Sequence, residues 1–281
     1  MSGRASHDLP STCRTPSDAA GLRSAILVQT HSEFPFVRRL SVVVPVRNEA
    51  DNIVPLIEEI DAALRTRVDY EIVYVDDGST DETLARLRAA QVGRAHLKVV
   101  RHHRSCGQST AVRSGVKAAG GDWIATLDGD GQNDPADIPE LLAVFADPAR
   151  ADGVELVGGN RRGRRRDTWI KRVSSVIANG VRGRMLRDDT PDTGCGLKLI
   201  RRDVFLDLPY FDHMHRFLPA LVQRRGGQVV SVSVRHRERT RGKSNYGTLD
   251  RLMVGIVDLF GVMWLIRRAK RPEIVEGPHD A

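Results

Sequence analysis

Asp128-Gly129-Asp130-Gly131-Gln132 places two carboxylates two positions apart, with an amide two positions further on. At the end of a strand both acids can address one hard cation. Mg2+ or Mn2+ prefers such oxygen ligands and keeps positions open for phosphate. A calcium loop is the rival reading, but the glutamate an EF-hand needs at its twelfth position falls at Pro139. A second polar cluster, Val75-Asp76-Asp77-Gly78-Ser79-Thr80-Asp81, closes an apolar run. Its carboxylates can accept from a nucleobase N–H or a ribose hydroxyl, and Ser79 or Thr80 can cap the next helix. Neither GxGxxG nor GxxxxGK[ST] occurs, which removes dinucleotide and P-loop chemistry. A third feature is charge: residues 156–172 hold seven basic residues and one acid. Such a run suits nucleic acid, a solvated face, or an anion at or near a membrane.

These clusters need elements to hold them. LSVVVP from Leu40 is a short β-branched run stopped by Pro45, and it reads as a buried strand. Ile53, Ile57, Ile60 and Leu64 follow at helical spacing, behind the capping candidates Asn48, Asp51 and Asn52. YEIVYVDDGS is a second strand, and Thr80 to Ala90 a helix with Leu84 and Leu87 on one face. LKVVRH, DWIATLDGDGQ and VELVGGN are three further strands, alternating with helices over Gly107 to Ala119 and Pro139 to Phe145. Strands without period-two alternation, separated by helices, predict an α/β fold: a mostly parallel sheet with helices on both faces. Ligands of such sheets sit beyond the carboxyl ends of the strands, where Pro45–Glu49, Asp76–Ser79 and Asp128–Gln132 fall. A basic helix, the strand-like DTGCGLKLI, the helix RFLPALV, the strand VVSVSVRHRER and an apolar segment follow without a Gly/Pro/Ser-rich linker. They read as an elaboration of the same domain.

Composition sets the bounds. The 281 residues allow one large domain or two small ones, and a 41% hydrophobic share supplies a core. The net charge of +7 points to anionic partners. Cys13, Cys106 and Cys195 are far apart and form no CxxC pair, which argues against a disulfide framework or a zinc site and fits a reducing cytosol. No apolar stretch reaches the ~20 residues that span a bilayer, and the N-terminus has no signal-like apolar region. Residues 1–37 read as a disordered extension, 38–250 as the folded domain, 251–268 as a C-terminal amphipathic helix and 269–281 as a polar tail. LMVGIVDLFGVMWLI, with Asp258 inside it and RRAKR behind it, suits a membrane-interface helix and a core helix equally.

VVVPVRNEADNI, VDDGSTD, LDGDGQNDP and the distal RTRGKSNYG together resemble the inverting GT-A glycosyltransferases of family 2. DTGCGLKLIRRDVF and HRFLPALV narrow the likeness to polyprenyl-phosphate sugar transferases of the dolichol-phosphate mannosyltransferase type. The likeness runs from about Leu40 to about Ile266 and implies a GT-A, Rossmann-like domain. It implies that Pro45, Asn48 and Glu49 border the nucleotide base and that Asp76 and Asp77 hold base or ribose. Asp128, Asp130 and Gln132 would bind Mg2+ or Mn2+ with the diphosphate, and Arg239 and Lys243 would close over it. Arg216 would face donor or acceptor phosphate.

Many relatives carry an acid pair as catalytic base where this chain has Asp192 followed by Lys198. A phosphate acceptor explains the difference, because a monoester with a second pKa of about 6 is already ionised and needs cations rather than a base. Lys198, Arg201 and Arg202, with Arg164, Arg165, Arg166 and Lys171 of the basic run, are the candidates for acceptor phosphate or membrane. Asp192 is read as ordering the site. The expected reaction is transfer of a hexose from GDP-mannose or a UDP-sugar to a dolichyl or undecaprenyl phosphate. The expected place is the cytoplasmic face of a membrane, held peripherally. A family 2 enzyme acting on a saccharide hydroxyl is the alternative. Nucleic-acid binding is set aside, because no RNA or DNA module is recognisable and aromatic residues make up only 5%.

Overall fold

The computed structural model describes residues 34, 36–161, 183, 185, 186, 188, 190–237 and 248–270. Seven strands form one sheet: β1 (Leu40–Val46), β2 (Tyr70–Asp76), β3 (Leu97–Arg101), β4 (Trp123–Thr126), β5 (Val154–Asn160), β6 (Lys198–Arg201) and β7 (Gln228–Ser233). Their order is β3-β2-β1-β4-β6-β5-β7. Every neighbouring pair is parallel except those made by β6, which runs antiparallel between β4 and β5.

The helices are α1 (Ile53–Leu64), α2 (Thr83–Gln91), α3 (Gln108–Ala118), α4 (Ile138–Leu142), α5 (Pro148–Ala151), α6 (Arg202–Asp207), α7 (Leu218–Arg225) and α8 (Thr248–Arg267). The helix expected over Pro139 to Phe145 is α4 continued by a 3-10 turn, Ala143–Ala146. It is preceded by a 3-10 turn, Pro135–Asp137, at whose start the Asp134 carboxylate accepts from Ala136 N and Pro135 fixes the backbone.

Successive strand residues feed opposite faces. Val42 and Val44 of β1 join α1, α2 and α4 in one core, through Ile57, Leu87 and Leu141. Val43 joins α3, α6, α7 and α8 in the other, through Val112, Phe205, Leu221 and Val262. Both faces of β1 are therefore covered, which is why its sequence is a continuous apolar run. The carboxyl ends of β1, β2, β4, β5 and β7 share one edge of the sheet. β6 starts at that edge with Lys198, paired with Thr126, and leaves it, so that Arg201 pairs with Trp123 at the start of β4.

Candidate active site

The loop after β4 carries Asp128, Asp130 and Gln132. Asp128 is half-buried; its Oδ1 accepts from Gln108 Nε2 at 2.8 Å and its Oδ2 from Asn133 Nδ2 at 3.1 Å. Gly196 lies against it so closely that a Cβ there would sit 2.0 Å from Asp128 Oδ2. Asp130 Oδ1 accepts from Gln132 N at 3.1 Å. Its second oxygen and the Gln132 amide have no partner among the described residues. Burial, and then the charge of Asp130, push the Asp128 carboxyl above the ordinary carboxylate value. Two neighbouring carboxylates, one of them with an oxygen that has no partner among the described residues, are a set that a hard dication relieves, so these residues fit Mg2+ or Mn2+.

The β1 and β2 ends form the adjoining wall. Asn48 adopts a left-handed conformation, φ 57°. Its backbone N donates to Ser79 Oγ at 3.0 Å and its Oδ1 accepts from Thr80 N at 2.9 Å. Glu49 N donates to Thr83 Oγ1, and Glu49 Oε2 accepts from Asn52 Nδ2 at 2.7 Å. Asn48 thus ties the two loops together. Asp76 is fully buried, accepts from Ser79 N at 2.9 Å, and has Arg101 Nε 3.9 Å from its other oxygen.

Asp77 has a different environment from its neighbour. Its Oδ1 accepts from His102 Nδ1 (2.7 Å) and Cys106 N (2.8 Å), and its Oδ2 from Ser105 Oγ (2.7 Å) and Gly107 N (3.0 Å). Burial alone would raise its carboxyl, but hydrogen bonds from His102, Cys106, Ser105 and Gly107 outweigh that and hold it below the ordinary value. Gly78 passes so near the same loop, at φ +68°, that a Cβ would meet the Arg104 and Ser105 backbone at 2.6–2.8 Å. Both Asp77 oxygens are committed to folding residues 102–107 into position at the start of α3. The base-or-ribose reading therefore rests on Asp76 and the adjoining backbone.

Behind Asp128 lies a buried charged layer. Arg161, at the end of β5, donates from Nε to Asp192 Oδ2 (2.8 Å) and from Nη2 to Asp192 Oδ1 (3.0 Å), and its backbone N also reaches Oδ2 (3.1 Å). Lys198 is 4% exposed and its ammonium donates to the Cys195 carbonyl. Burial pushes its pKa down, against the pull of Cys195 and Asp128. The expectation of an acceptor-facing Lys198 is therefore corrected: its ammonium points into protein. Arg201 and Arg202 are also corrected as acceptor cations, because β6 runs away from the site. Arg201 pairs with Asp203, and Arg202 Nε donates to Val116 O at the end of α3. Arg216, half-buried in the 3-10 turn Met214–Arg216, makes no side-chain ion pair among the described residues. Beside it, burial and nearby cations push His215 down to about 3, so this imidazole is neutral and hydrogen-bonds through Nδ1 with Ser109 Oγ at 2.8 Å. Arg164, Arg165, Arg166, Lys171, Arg239 and Lys243 lie outside the described residues.

A family model described as glycosyl transferase family 2 matches residues 41–208. The chain belongs to that family. It is 37% identical over 238 residues to a dodecaprenyl-phosphate galacturonate synthase of Rhizobium johnstonii, covering 83% of this chain and 69% of the relative. It is 34% identical over 220 residues to an undecaprenyl-phosphate 4-deoxy-4-formamido-L-arabinose transferase of Edwardsiella ictaluri, covering 78% and 66%. The chain thus spans about two thirds of the length of these relatives. Among solved structures it resembles glucosyl-3-phosphoglycerate synthase from Mycobacterium tuberculosis in complex with Mn2+, uridine diphosphate and glucosyl-3-phosphoglycerate. That match has a TM-score of 0.61 at 22% identity over 84% of this chain and 82% of that one, a likeness of fold.

Sequence reasoning about this glycosyltransferase did not single out Arg161, Gln108, Asn133 or Gly196. Arg161 opens the basic run and was legible only as one charge among many. Its pairing with Asp192 predicts a stability signature. Arg161→Leu takes the guanidinium away from a buried carboxylate and is expected to destabilise the fold by about 3–5 kcal/mol. Arg161→Leu combined with Asp192→Leu should recover most of that loss. Urea denaturation of the single and double variants measures the coupling, and additive losses would count against the pair.

Proposed function

We propose that this chain transfers a sugar from a nucleotide sugar to the phosphate of a polyprenyl phosphate, with inversion at the anomeric carbon. The observation that carries the choice of acceptor is the Arg161–Asp192 pair. Both Asp192 oxygens are engaged by one guanidinium, so this carboxylate orders the site and is not poised to take a proton. A hydroxyl acceptor needs a base. A phosphate monoester is already ionised near neutral pH and needs none. Its oxygen forms the new bond to the anomeric carbon, and the nucleoside diphosphate leaves with the electron pair of the bond that breaks. The names of the polyprenyl-phosphate relatives support the same acceptor.

In this reading Pro45, Asn48, Glu49 and Asp76 border base and ribose. Asp128, Asp130 and Gln132 would hold a divalent ion, which when bound offsets charge on the leaving diphosphate. Arg216, whose guanidinium makes no ion pair among the described residues, is offered to acceptor phosphate. Arg216→Ala is expected to lower kcat/KM for the lipid acceptor about 10- to 100-fold, the worth of one charge-assisted hydrogen bond. Nucleotide affinity, read by calorimetry, should stay near the parent value. Equal loss of both would remove the acceptor role.

The deciding assay offers radiolabelled GDP- and UDP-sugars with undecaprenyl phosphate and Mg2+ or Mn2+. The panel includes galacturonate, formamido-arabinose and mannose donors. Label in the chloroform phase from at least one donor is expected. Label transferred only to a soluble saccharide would overturn the lipid-phosphate reading in favour of a hydroxyl acceptor.

A further inference from the structure

The strand at the edge of the sheet feeds back into the metal loop. β6 and β5 lie between β7 and β4. Val234, just past the end of β7, is 1% exposed, and its backbone N donates to Asn160 O at the end of β5 (3.1 Å). From there the chain runs inward to the loop after β4. His236 pairs with Asn133 as an isolated antiparallel bridge, and Arg237 N donates to Gln132 O at 3.0 Å.

Two arginines of this segment add side-chain pins. Arg237 Nη2 lies 2.7 Å from Asp134 Oδ1, and its Nη1 donates to Glu59 Oε2 at 2.7 Å. One guanidinium thus joins the metal loop to α1. Arg235 Nε donates to Asp137 Oδ1 at 2.8 Å and lies 3.3 Å from Asp134 Oδ2. Asp134 and Asp137 are each 4% exposed, where an unpaired carboxylate is costly.

These pins fall where the loop does least to hold itself. Gly131 turns the chain at φ +74°, a conformation that glycine adopts freely. The bond from Gln132 N to Asp130 Oδ1 ties the loop internally. The placing of Asp128 against Gln132 is set from outside. Gln132 O is held by Arg237 N, and Asp128 Oδ2 by the side chain of Asn133, itself 2% exposed and bridged to His236.

We infer that Arg237 is a positioning residue of the metal site, acting through Gln132 and Asp134 rather than on the ion. The inference rests on the reading of Asp128, Asp130 and Gln132 as holders of a divalent ion. Groups that orient metal ligands from behind are worth about 10- to 100-fold in metal affinity. The sign of the effect separates position from charge. Arg237 carries the same sign of charge as the ion, so on charge alone its removal strengthens ion binding. Weaker binding on its removal reports position.

The test titrates Mn2+ alone into the full chain and into Arg237→Ala and Arg237→Lys by calorimetry. Arg201→Ala, from the ion pair at the far edge of the sheet, is the control. Hydrogen exchange over residues 128–134 is measured in parallel on metal-free protein. Arg237→Ala is expected to bind Mn2+ about 10-fold more weakly and to exchange faster over 128–134. It should unfold near the parental temperature, because the Arg237 side chain is 41% exposed. Arg237→Lys keeps the charge but not the fork that reaches Asp134 and Glu59 together, and should fall between parent and alanine. Arg201→Ala should match the parent. Unchanged or tighter Mn2+ binding by Arg237→Ala would overturn the inference and leave the metal reading standing. So would unchanged exchange over 128–134. Should alanine destabilise the fold, Arg237→Lys decides, and parental affinity in that variant would overturn the inference. Absence of Mn2+ binding by the parent itself would overturn the metal reading, and the inference with it.

Discussion

Asp130→Asn should leave a folded protein whose metal-dependent turnover is lost. The substitution keeps a carbonyl oxygen where Asp130 Oδ1 accepts from Gln132 N, so the loop retains its internal hydrogen bond. It removes a negative charge whose nearest effect is to hold the Asp128 carboxyl up, so the fold loses nothing by the exchange. The loss falls on the ion: one of two carboxylates is gone from a site that must offset a departing diphosphate. Removing a preorganised electrostatic partner of this kind costs about 10²–10³ in kcat, and losing a metal ligand stands at the upper end. Mn2+ affinity by calorimetry should fall with it, while the unfolding temperature stays level or rises slightly. Because Asp128 is raised, protons compete with the ion for it. Parental Mn2+ affinity should therefore weaken as pH falls through the Asp128 titration, and in Asp130→Asn that weakening should begin at lower pH. Metal-stimulated turnover near the parental rate would remove Asp130 from the site.

The parts of this molecule that were readable from sequence are those where local pattern and final environment agree. β1, β2 and β4 are continuous apolar runs because both faces of each are covered, and the polar residues that end them necessarily collect at one edge. The direction of β6 was not readable. KLIR says that a strand is there and nothing about which way it runs, so Arg201 and Arg202 looked like neighbours of the site and lie at the far end of the sheet. The two acids of DDG carry the same local signal, yet Asp76 ends a strand while Asp77 is wrapped by residues 102–107. That difference depends on contacts 25 to 30 positions away, which no spacing rule contains. α8 shows the converse. Its run fitted interface and core equally because one face is buried in the core and the other is exposed, and the sequence pattern does not separate the two sides of one helix.

Asp77→Ala is expected to be among the most damaging single changes to stability, although Asp77 holds no metal in this reading. Four donors converge on it: the His102 ring, Ser105 Oγ and the backbone N–H groups of Cys106 and Gly107. Alanine leaves these donors unpaired in a buried place, and each unsatisfied group costs about 1–3 kcal/mol, less what water can reclaim. A total of about 3–5 kcal/mol by urea denaturation is the expected size. The sign of the pH dependence follows from the depressed carboxyl. Its contribution is fully present above the ordinary aspartate value of about 3.9 and is lost as pH falls through the lower folded value. The gap between parent and variant should therefore be flat from neutral pH down to about 5 and close below about 4. Turnover should fall too, for a positional reason. Gly107 is the residue before α3, and Gln108, the first residue of that helix, donates to Asp128 Oδ1. Loosening 102–107 releases a support of Asp128, the carboxylate proposed to hold the metal, without touching it. Asp77→Asn should be intermediate, because its amide oxygen can still accept from one pair of donors while its NH2 faces the other. A loss below about 1 kcal/mol, or a gap that persists unchanged into acid, would show that the loop is held by something other than this carboxylate.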